Sequence, residues 1–326
     1  MIFFGIDISK LTFDVSVVSE SKPRHKKFKN TPVGFEEFLK FIKSYISQSY
    51  ICMEATGVYG MCLAQFLVKN KLKTIVANPY KIKNYSRMKM NRNKTDKADS
   101  LCIANYCKSL YLDETIEDNI YKPKSKYYQR LQSLVTRLEQ VKLLQNQEAN
   151  HLESTLDVVT VKFIDITINQ LNKQIKSIEK SIKYCVSKDD NLSREVELLI
   201  SINGIGYATA WAILAYIGDI SLFESSGQVA SYAGLNPIIE DSGTSVKKTR
   251  LSKMGNKRLR KALYMPAVSA MQHNPLLRDL YNRLLVKGKP KKVALCAVMR
   301  KLLVLSYGVI KSGMEFDPNY RKQKAN

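Results

Sequence analysis

An α/β domain on a mixed sheet, followed by helices to the end of the chain, is the fold class that this 326-residue sequence predicts. Three observations predict it. Apolar runs of strand length and period-two alternation dominate the first part of the chain, with helical spacing interleaved. From about Tyr127 the apolar residues recur at three and four instead. Gly and Pro turn signals then cut the last third into pieces of helix length.

Residues 2–8 (Ile-Phe-Phe-Gly-Ile-Asp-Ile) form the first strand, and Phe13-Asp14-Val15-Ser16-Val17-Val18 alternates as a half-buried strand does. Lys10-Leu11 makes the turn between them. A third short strand near His25 to Phe28 completes an antiparallel meander. Phe35 to Ile46 has helical spacing, and a strand at Tyr50 to Met53, a helix at Tyr59 to Val68 and a strand at Lys73 to Ala77 follow. A meander and then alternating helix and strand is the order of an RNase H-like α/β domain.

That order places two acids. Asp7 lies within the first, central strand, and Glu54 ends the fourth, its neighbour in such a sheet. Open α/β sheets bind ligands outside the carboxyl ends of their strands. The stretch Arg92-Asn93-Lys94-Thr95-Asp96-Lys97-Ala98-Asp99 adds two more acids at a helix start, three residues apart and so on one side of the helix. Thr95 is placed to cap, and acids are favoured at a helix N-terminus in any case. Four carboxylates from separate segments meeting at one edge need a cation, and Mg²⁺ takes such oxygens while keeping positions for water and phosphate. No acid occurs between Glu54 and Asp96, while seven Lys/Arg fill 81–97 and stand ready to hold phosphates.

In the helical part, Leu131, Leu134, Leu138 and Val141 recur at three and four, and Ile164, Ile168, Leu171, Ile175, Ile178 and Ile182 keep 4-3-4-3-4 spacing. The second run reads as a coiled-coil seam joining protomers, or as a long helix packed on its own domain. Ser201-Ile202-Asn203-Gly204-Ile205-Gly206 before the apolar Ala208 to Ile217 resembles a helix-hairpin-helix turn, whose amides meet a DNA phosphate. A helical Gln228 to Ala233 and a Gly234-Leu235-Asn236-Pro237 turn lead to Ser242-Gly243-Thr244-Ser245, a small loop that either binds a phosphate backbone or presents a hydroxyl to it. Lys247, Lys248, Arg250, Lys253, Lys257, Arg258, Arg260 and Lys261 follow, with no acid from Ser242 through Arg278. Asn256 to Met271, Pro275 to Val286 and Lys291 to Ile310 read as helices.

The net charge is +23, from 52 Lys+Arg against 29 Asp+Glu. Such an excess points to a polyanionic partner, and nucleic acid is the commonest. No apolar run reaches the ~18 residues of a membrane span, so a membrane partner is not expected. Six cysteines without a C-x-x-C pair, and few histidines, exclude a zinc site and read as reduced thiols in a cytosolic protein. A sugar-kinase-like ATPase also opens on Gly-Ile-Asp, but there is no second Gly-rich phosphate loop here.

Gly5-Ile6-Asp7, Met53-Glu54-Ala55-Thr56-Gly57, Arg92 to Asp96 with Asp99, Gly204-Ile205-Gly206, Ala233-Gly234-Leu235 with Pro237, Ser242-Gly243, and Ser252-Lys253-Met254-Gly255 through Leu263-Tyr264 occur in this order. Together they resemble the DEDD transposases of the insertion sequence 110 family over nearly the whole chain. The resemblance implies a RuvC-like catalytic domain over 1–125, a helical coiled-coil segment over 126–192 and a C-terminal transposase domain over 193–326. It implies Asp7, Glu54, Asp96 and Asp99 as ligands of Mg²⁺ (or Mn²⁺) and Ser242 as nucleophile. Double-stranded DNA, both donor and target, a bridge RNA and a homodimer or homotetramer are the partners it implies, in a bacterial cytoplasm beside the nucleoid. Nucleic-acid contacts would come from Arg92, Lys94, Gly204, Gly206, Lys247, Lys248, Arg250, Lys253, Lys257 and Arg258. Two positions depart from the pattern, Asn203 where Pro is common and Thr244 where a second Ser is common, and Ser245 is a competing hydroxyl. The alternative enzyme is a RuvC-like, metal-dependent, structure-selective nuclease such as a junction resolvase.

Overall fold

Alternation in the first part of the chain becomes a meander of β1 (Ile2–Ile8), β2 (Thr12–Val18) and β3 (Arg24–Lys29). The computed structural model describes residues 1–19, 22–55, 57–90, 95–240 and 248–319, and their contacts divide the chain into two units, Met1–Pro123 and Lys124–Asn326. In the first unit the meander continues into α1 (Pro32–Ile42), β4 (Ser49–Glu54), α2 (Val58–Lys69), β5 (Thr74–Ala77), α3 (Pro79–Met88) and α4 (Asp96–Leu112). The sheet order is β3-β2-β1-β4-β5, antiparallel on the β2/β3 side and parallel where β1 meets β4 and β4 meets β5. The expected mixed sheet is therefore present.

Period-two alternation puts the two faces of this sheet to different uses. Phe4, Ile6, Phe13, Val15, Phe28, Ile51 and Met53 pack on one side with Phe35, Phe38 and Ile42 of α1 and Leu63 and Leu67 of α2. Phe3, Tyr50, Cys52, Ile75 and Ala77 pack on the other with Ile103, Ala104, Cys107 and Leu110 of α4. α3 was not expected, because its lysines hide the helical period. Asn78 starts it, its side chain accepting from the Tyr80 amide at 2.9 Å, with Pro79 in the first turn, where a missing N–H costs nothing.

The second unit is mostly helical: α5 (Lys126–Ser154), α6 (Val158–Val186), α7 (Asp190–Ile200), α8 (Tyr207–Ile217), α9 (Ser226–Tyr232), α10 (Lys257–His273), α11 (Pro275–Val286) and α12 (Lys291–Ser312). β6 (Pro237–Glu240) and β7 (Lys248–Leu251) pair antiparallel, where only a turn and a loop were expected. Four-residue strands, one opening on Pro and one carrying Lys248 and Arg250, show too little alternation to be read in advance. The core is α8, buried from Ala210 to Ile217, together with Leu131, Val135 and Leu138 of α5 and Leu295, Val298, Leu302 and Leu303 of α12.

The 4-3 spacing of α6 has a partner within the chain. A three-residue connection turns α6 back antiparallel along α5, with Lys142 and Glu179 paired at 3.0 Å and Gln145 donating to Asn172 at 2.6 Å. Leu171 and Ile182 are buried, and Ile175 and Ile178 pack on the same core as Leu131. Toward the tip of this helical hairpin the burial runs out, leaving Leu143, Leu144, Phe163 and Ile166 exposed. No unbroken apolar run of that length is present, since Arg300 and Lys301 interrupt α12, but α12 is 22 residues long and by length and average composition is apolar enough to cross a membrane. Its apolar side chains are those of the second core, and Leu302 and Val298 are fully buried there.

Candidate active site

Strand register sets the site. Asp7 pairs with Asp14, Asp14 pairs with Lys27, and Ile6 opposite Met53 brings Glu54 beside Asp7. Partners in register share a face, so Lys27, Asp14, Asp7 and Glu54 form one rung across β3, β2, β1 and β4. This rung lies on the α4 side of the sheet, at the carboxyl ends of β1 and β4.

The rung before it explains how α4 reaches the acids. Gly5 pairs with Ser16, and a Cβ on Gly5 would lie 2.1 Å from the Ala104 amide nitrogen and 2.2 Å from the Ser100 carbonyl oxygen. Only glycine lets the helix backbone come this close. The buried hydroxyls of Ser16 and Ser100 share a hydrogen bond at 2.8 Å and fix the same contact. One turn earlier on α4 stand Asp96 and Asp99, carried over the acidic rung by this packing. Thr95 caps the helix, its hydroxyl accepting from the Ala98 amide at 3.1 Å. Capping and site-building are thus both served by one helix start.

The electrostatics follow from the crowding. Burial pushes the Asp7 carboxyl up to about 6, helped by the charges of Asp99, Asp96, Glu54 and Asp14. Burial also raises Glu54, and Asp99 adds to it. These are the expected responses of acids held together without enough positive charge. The four predicted acids therefore lie in one neighbourhood. Asp14 is a fifth, 4% exposed, which the sequence reading passed over. His25 meets its Oδ1 at 2.9 Å and the Lys27 ammonium its Oδ2 at 3.1 Å, and the same ammonium reaches Asp96 Oδ2 at 3.3 Å. A signal existed: the Lys10-Leu11 turn centres the hairpin so that positions 7 and 14 face each other.

Hard carboxylate oxygens are the donors that Mg²⁺ or Mn²⁺ takes, and a site short of positive charge suits a dication, so the donor set fits such an ion. Among the described residues no three His, Cys, Asp or Glu side chains are grouped closely enough to hold one as they stand. Asp96 is turned toward Lys27, whose ammonium donates to its Oδ2 at 3.3 Å.

In the second unit, Ser242 and Lys247 lie outside the described residues, as do Arg92 and Lys94 of the first. The hairpin of β6 and β7 that flanks Ser242 is pinned at its base. Gly234 (φ +67°) and Gly255 (φ +152°) meet backbone to backbone, a Cβ on Gly255 falling 2.4 Å from the Tyr232 carbonyl oxygen and 2.6 Å from the Gly234 amide nitrogen. The Ser252 and Lys253 amides donate to Asn236 and Gly234 across this contact. Lys248 and Arg250 lie on β7, Lys253 follows it, and Lys257 and Arg258 open α10. Lys253 and Lys257 are exposed, whereas Arg258 donates to the Thr136 hydroxyl at 2.9 Å and lies over the Tyr216 ring. Gly204 (φ +106°) packs against Ala270 of α10, and Gly206 caps α8.

Residues 4–161 match the transposase family model of the IS110 DEDD type, and residues 196–282 match that of the transposase IS116/IS110/IS902 family. A pilin gene-inverting protein of Moraxella bovis is 33% identical over 322 residues, covering 97% of each chain. Its counterpart from Moraxella lacunata is also 33% identical over 97% of each chain. A transposase for insertion sequence element IS1111A of Coxiella burnetii is 30% identical over 109 residues, covering 33% of this chain and 27% of that one.

Proposed function

The chain belongs to the transposase IS116/IS110/IS902 family, and from that membership we propose that it is a site-specific DNA recombinase that cuts and rejoins strands through a serine–phosphate ester. Asp7, Glu54, Asp96 and Asp99 are its metal ligands and Ser242 its nucleophile. The observation that carries this reading is the acidic rung, in which separated segments bring like charges to the carboxyl ends of β1 and β4 and hold Asp7 raised to about 6. The first unit in this reading is RNase H-like, or RuvC-like, since its strand order puts β1 and β4 side by side at the centre.

DEDD transposases generally use divalent ions; Mg²⁺ or Mn²⁺ at these carboxylates would stabilise charge on the phosphate oxygens. The chain's own residues do the rest. Asp7 and Glu54 anchor the site on rigid strands, and Asp96 and Asp99 close it from α4. The Ser242 oxygen attacks phosphorus in line and gives up its proton to water as the O–P bond to a deoxyribose oxygen breaks, and that oxygen takes up a proton from water as it leaves. The ester keeps the bond energy for rejoining. Lys248, Arg250, Lys253, Lys257 and Arg258, with Arg92, Lys94 and Lys247, hold phosphates, and the Gly204-Ile205-Gly206 turn offers amides as in a helix-hairpin-helix.

Donor and target DNA, an element-encoded bridge RNA and a homodimer or homotetramer are the partners in this reading. The exposed apolar tip of the α5/α6 hairpin supports contact between protomers, with the hairpin acting as a module of its own. Strand cleavage by the wild type should leave a covalent protein–DNA adduct that survives denaturation, and Ser242→Ala should leave none. Mixing Asp7→Ala with Ser242→Ala protein should restore part of the adduct if one protomer's serine serves another's acids. Free nicked ends without adduct would favour the resolvase instead. Sequencing the RNA that copurifies with the protein tests the guide.

A further inference from the structure

Lys27 stands at the end of the acidic rung and touches two of its members. We infer that Lys27 is a positioning residue that holds the Asp96 carboxylate toward β3 in competition with a divalent cation, and so sets the metal concentration at which the site assembles. The inference rests on the reading of Asp7, Glu54, Asp96 and Asp99 as metal ligands. It goes beyond that reading by giving a role to a residue and a carboxylate outside the ligand set.

Asp14 is the anchor. It is buried, and both of its oxygens are engaged, Oδ1 by His25 at 2.9 Å and Oδ2 by Lys27 at 3.1 Å. Removing either partner would leave a buried charge short of compensation, so Asp14 keeps the ammonium where it is. Asp96 is the movable member. Its side chain is 66% exposed and its bond to Lys27 is the longer one at 3.3 Å. Lys27 itself is half exposed and comes from β3, an edge strand of the sheet, on a flexible four-carbon stem. Asp96 can therefore turn from the ammonium toward Asp7 and Asp99 without disturbing Asp14.

Two effects of Lys27 oppose a dication. One is direct competition for the Asp96 oxygens, and the other is repulsion between the ammonium and a doubly charged ion bound a few ångströms away. Both vanish when the ammonium is removed, so a neutral side chain should tighten metal binding. Lacking a cation at this end, the rung would fill at a lower metal concentration. With it, binding waits for a threshold.

The test titrates Mn²⁺ alone into the full-length protein and reads bound ion from the loss of the free-ion electron paramagnetic resonance signal. Lys27→Met and Lys27→Gln should each lower the midpoint roughly three- to thirty-fold, as expected for removing one nearby, half-exposed charge that is screened almost as in water. Lys27→Arg should stay within about twofold of wild type, because the charge remains. In an Asp96→Asn background, Lys27→Met should produce less than half of its shift. If wild type takes up Mn²⁺ and both neutral variants bind it no more tightly, Lys27 does not compete and the inference is wrong. If wild type takes up none, the metal reading fails first and this inference with it.

Discussion

Asp7 and Glu195 are both carboxyls that burial pushes up, to about 6 and about 7 respectively, yet their surroundings differ. Glu195 accepts a hydrogen bond from the Tyr128 hydroxyl, and the acids that raise it further are Asp219 and Asp189. Asp189 has work of its own there, capping α7 by accepting from the Leu192 amide at 2.9 Å. Around Asp7 the crowding is greater. Four more carboxylates converge on one strand end, and among the described ion pairs His25 and Lys27 are the basic partners that meet them. A raised acid points to a site most strongly where several acids from separate segments share one small space.

The sharpest way to break this comparison is to neutralise each acid in turn. Asp99→Asn should lower strand cleavage at least about a hundredfold, as loss of a metal ligand does, while DNA affinity stays within about twofold. Glu195→Gln should leave cleavage intact. DNA binding lost in parallel with cleavage in Asp99→Asn would mean that the first group is structural too.

A smaller effect concerns how the acids are brought together. Gly5→Ala places a methyl 2.1 Å from the Ala104 amide nitrogen, so α4 must lift from β1. The cost should be about 2–4 kcal/mol, or roughly 10 °C in the melting of the first unit, measured calorimetrically. Mn²⁺ uptake should fall as well, because Asp96 and Asp99 ride on that helix. An unchanged melting temperature would show that the contact is not tight.

The smallest effect lies in the second unit and depends on pH. Because Glu195 binds its proton more tightly folded than unfolded, the wild type loses stability as pH rises from about 4.5 through about 7. Glu195→Gln removes that loss. It should raise the melting temperature by a few degrees at pH 8 and change nothing at pH 4. An equal shift at both values would assign the effect to packing instead of charge.

Much of this was legible in the residues. Period two in 2–18 gave the meander, and the placement of Asp7 and Glu54 followed from strand order. Asp96 and Asp99 were legible as a pair three apart on a helix start. Asp14 and Lys27 were missed because one acid in an alternating strand and one lysine among several look like ordinary solvated positions; only the register turns them inward. The α6 spacing was legible as a seam, but periodicity carries no information on which helix fills it, and α5 does so over much of its length. The β6/β7 hairpin was hidden by its shortness.

The paired helices α5 and α6 have one more consequence. Each runs 29 residues, about 43 Å, and only the end near α8 is tied into the core. Amide exchange should therefore be slow at the root and quicken toward the tip, a gradient of local stability along one element. Such an arm can also change length cheaply in evolution. Adding seven residues to each helix preserves the 4-3 register and moves the tip outward by ~10 Å, while no residue of the core has to change.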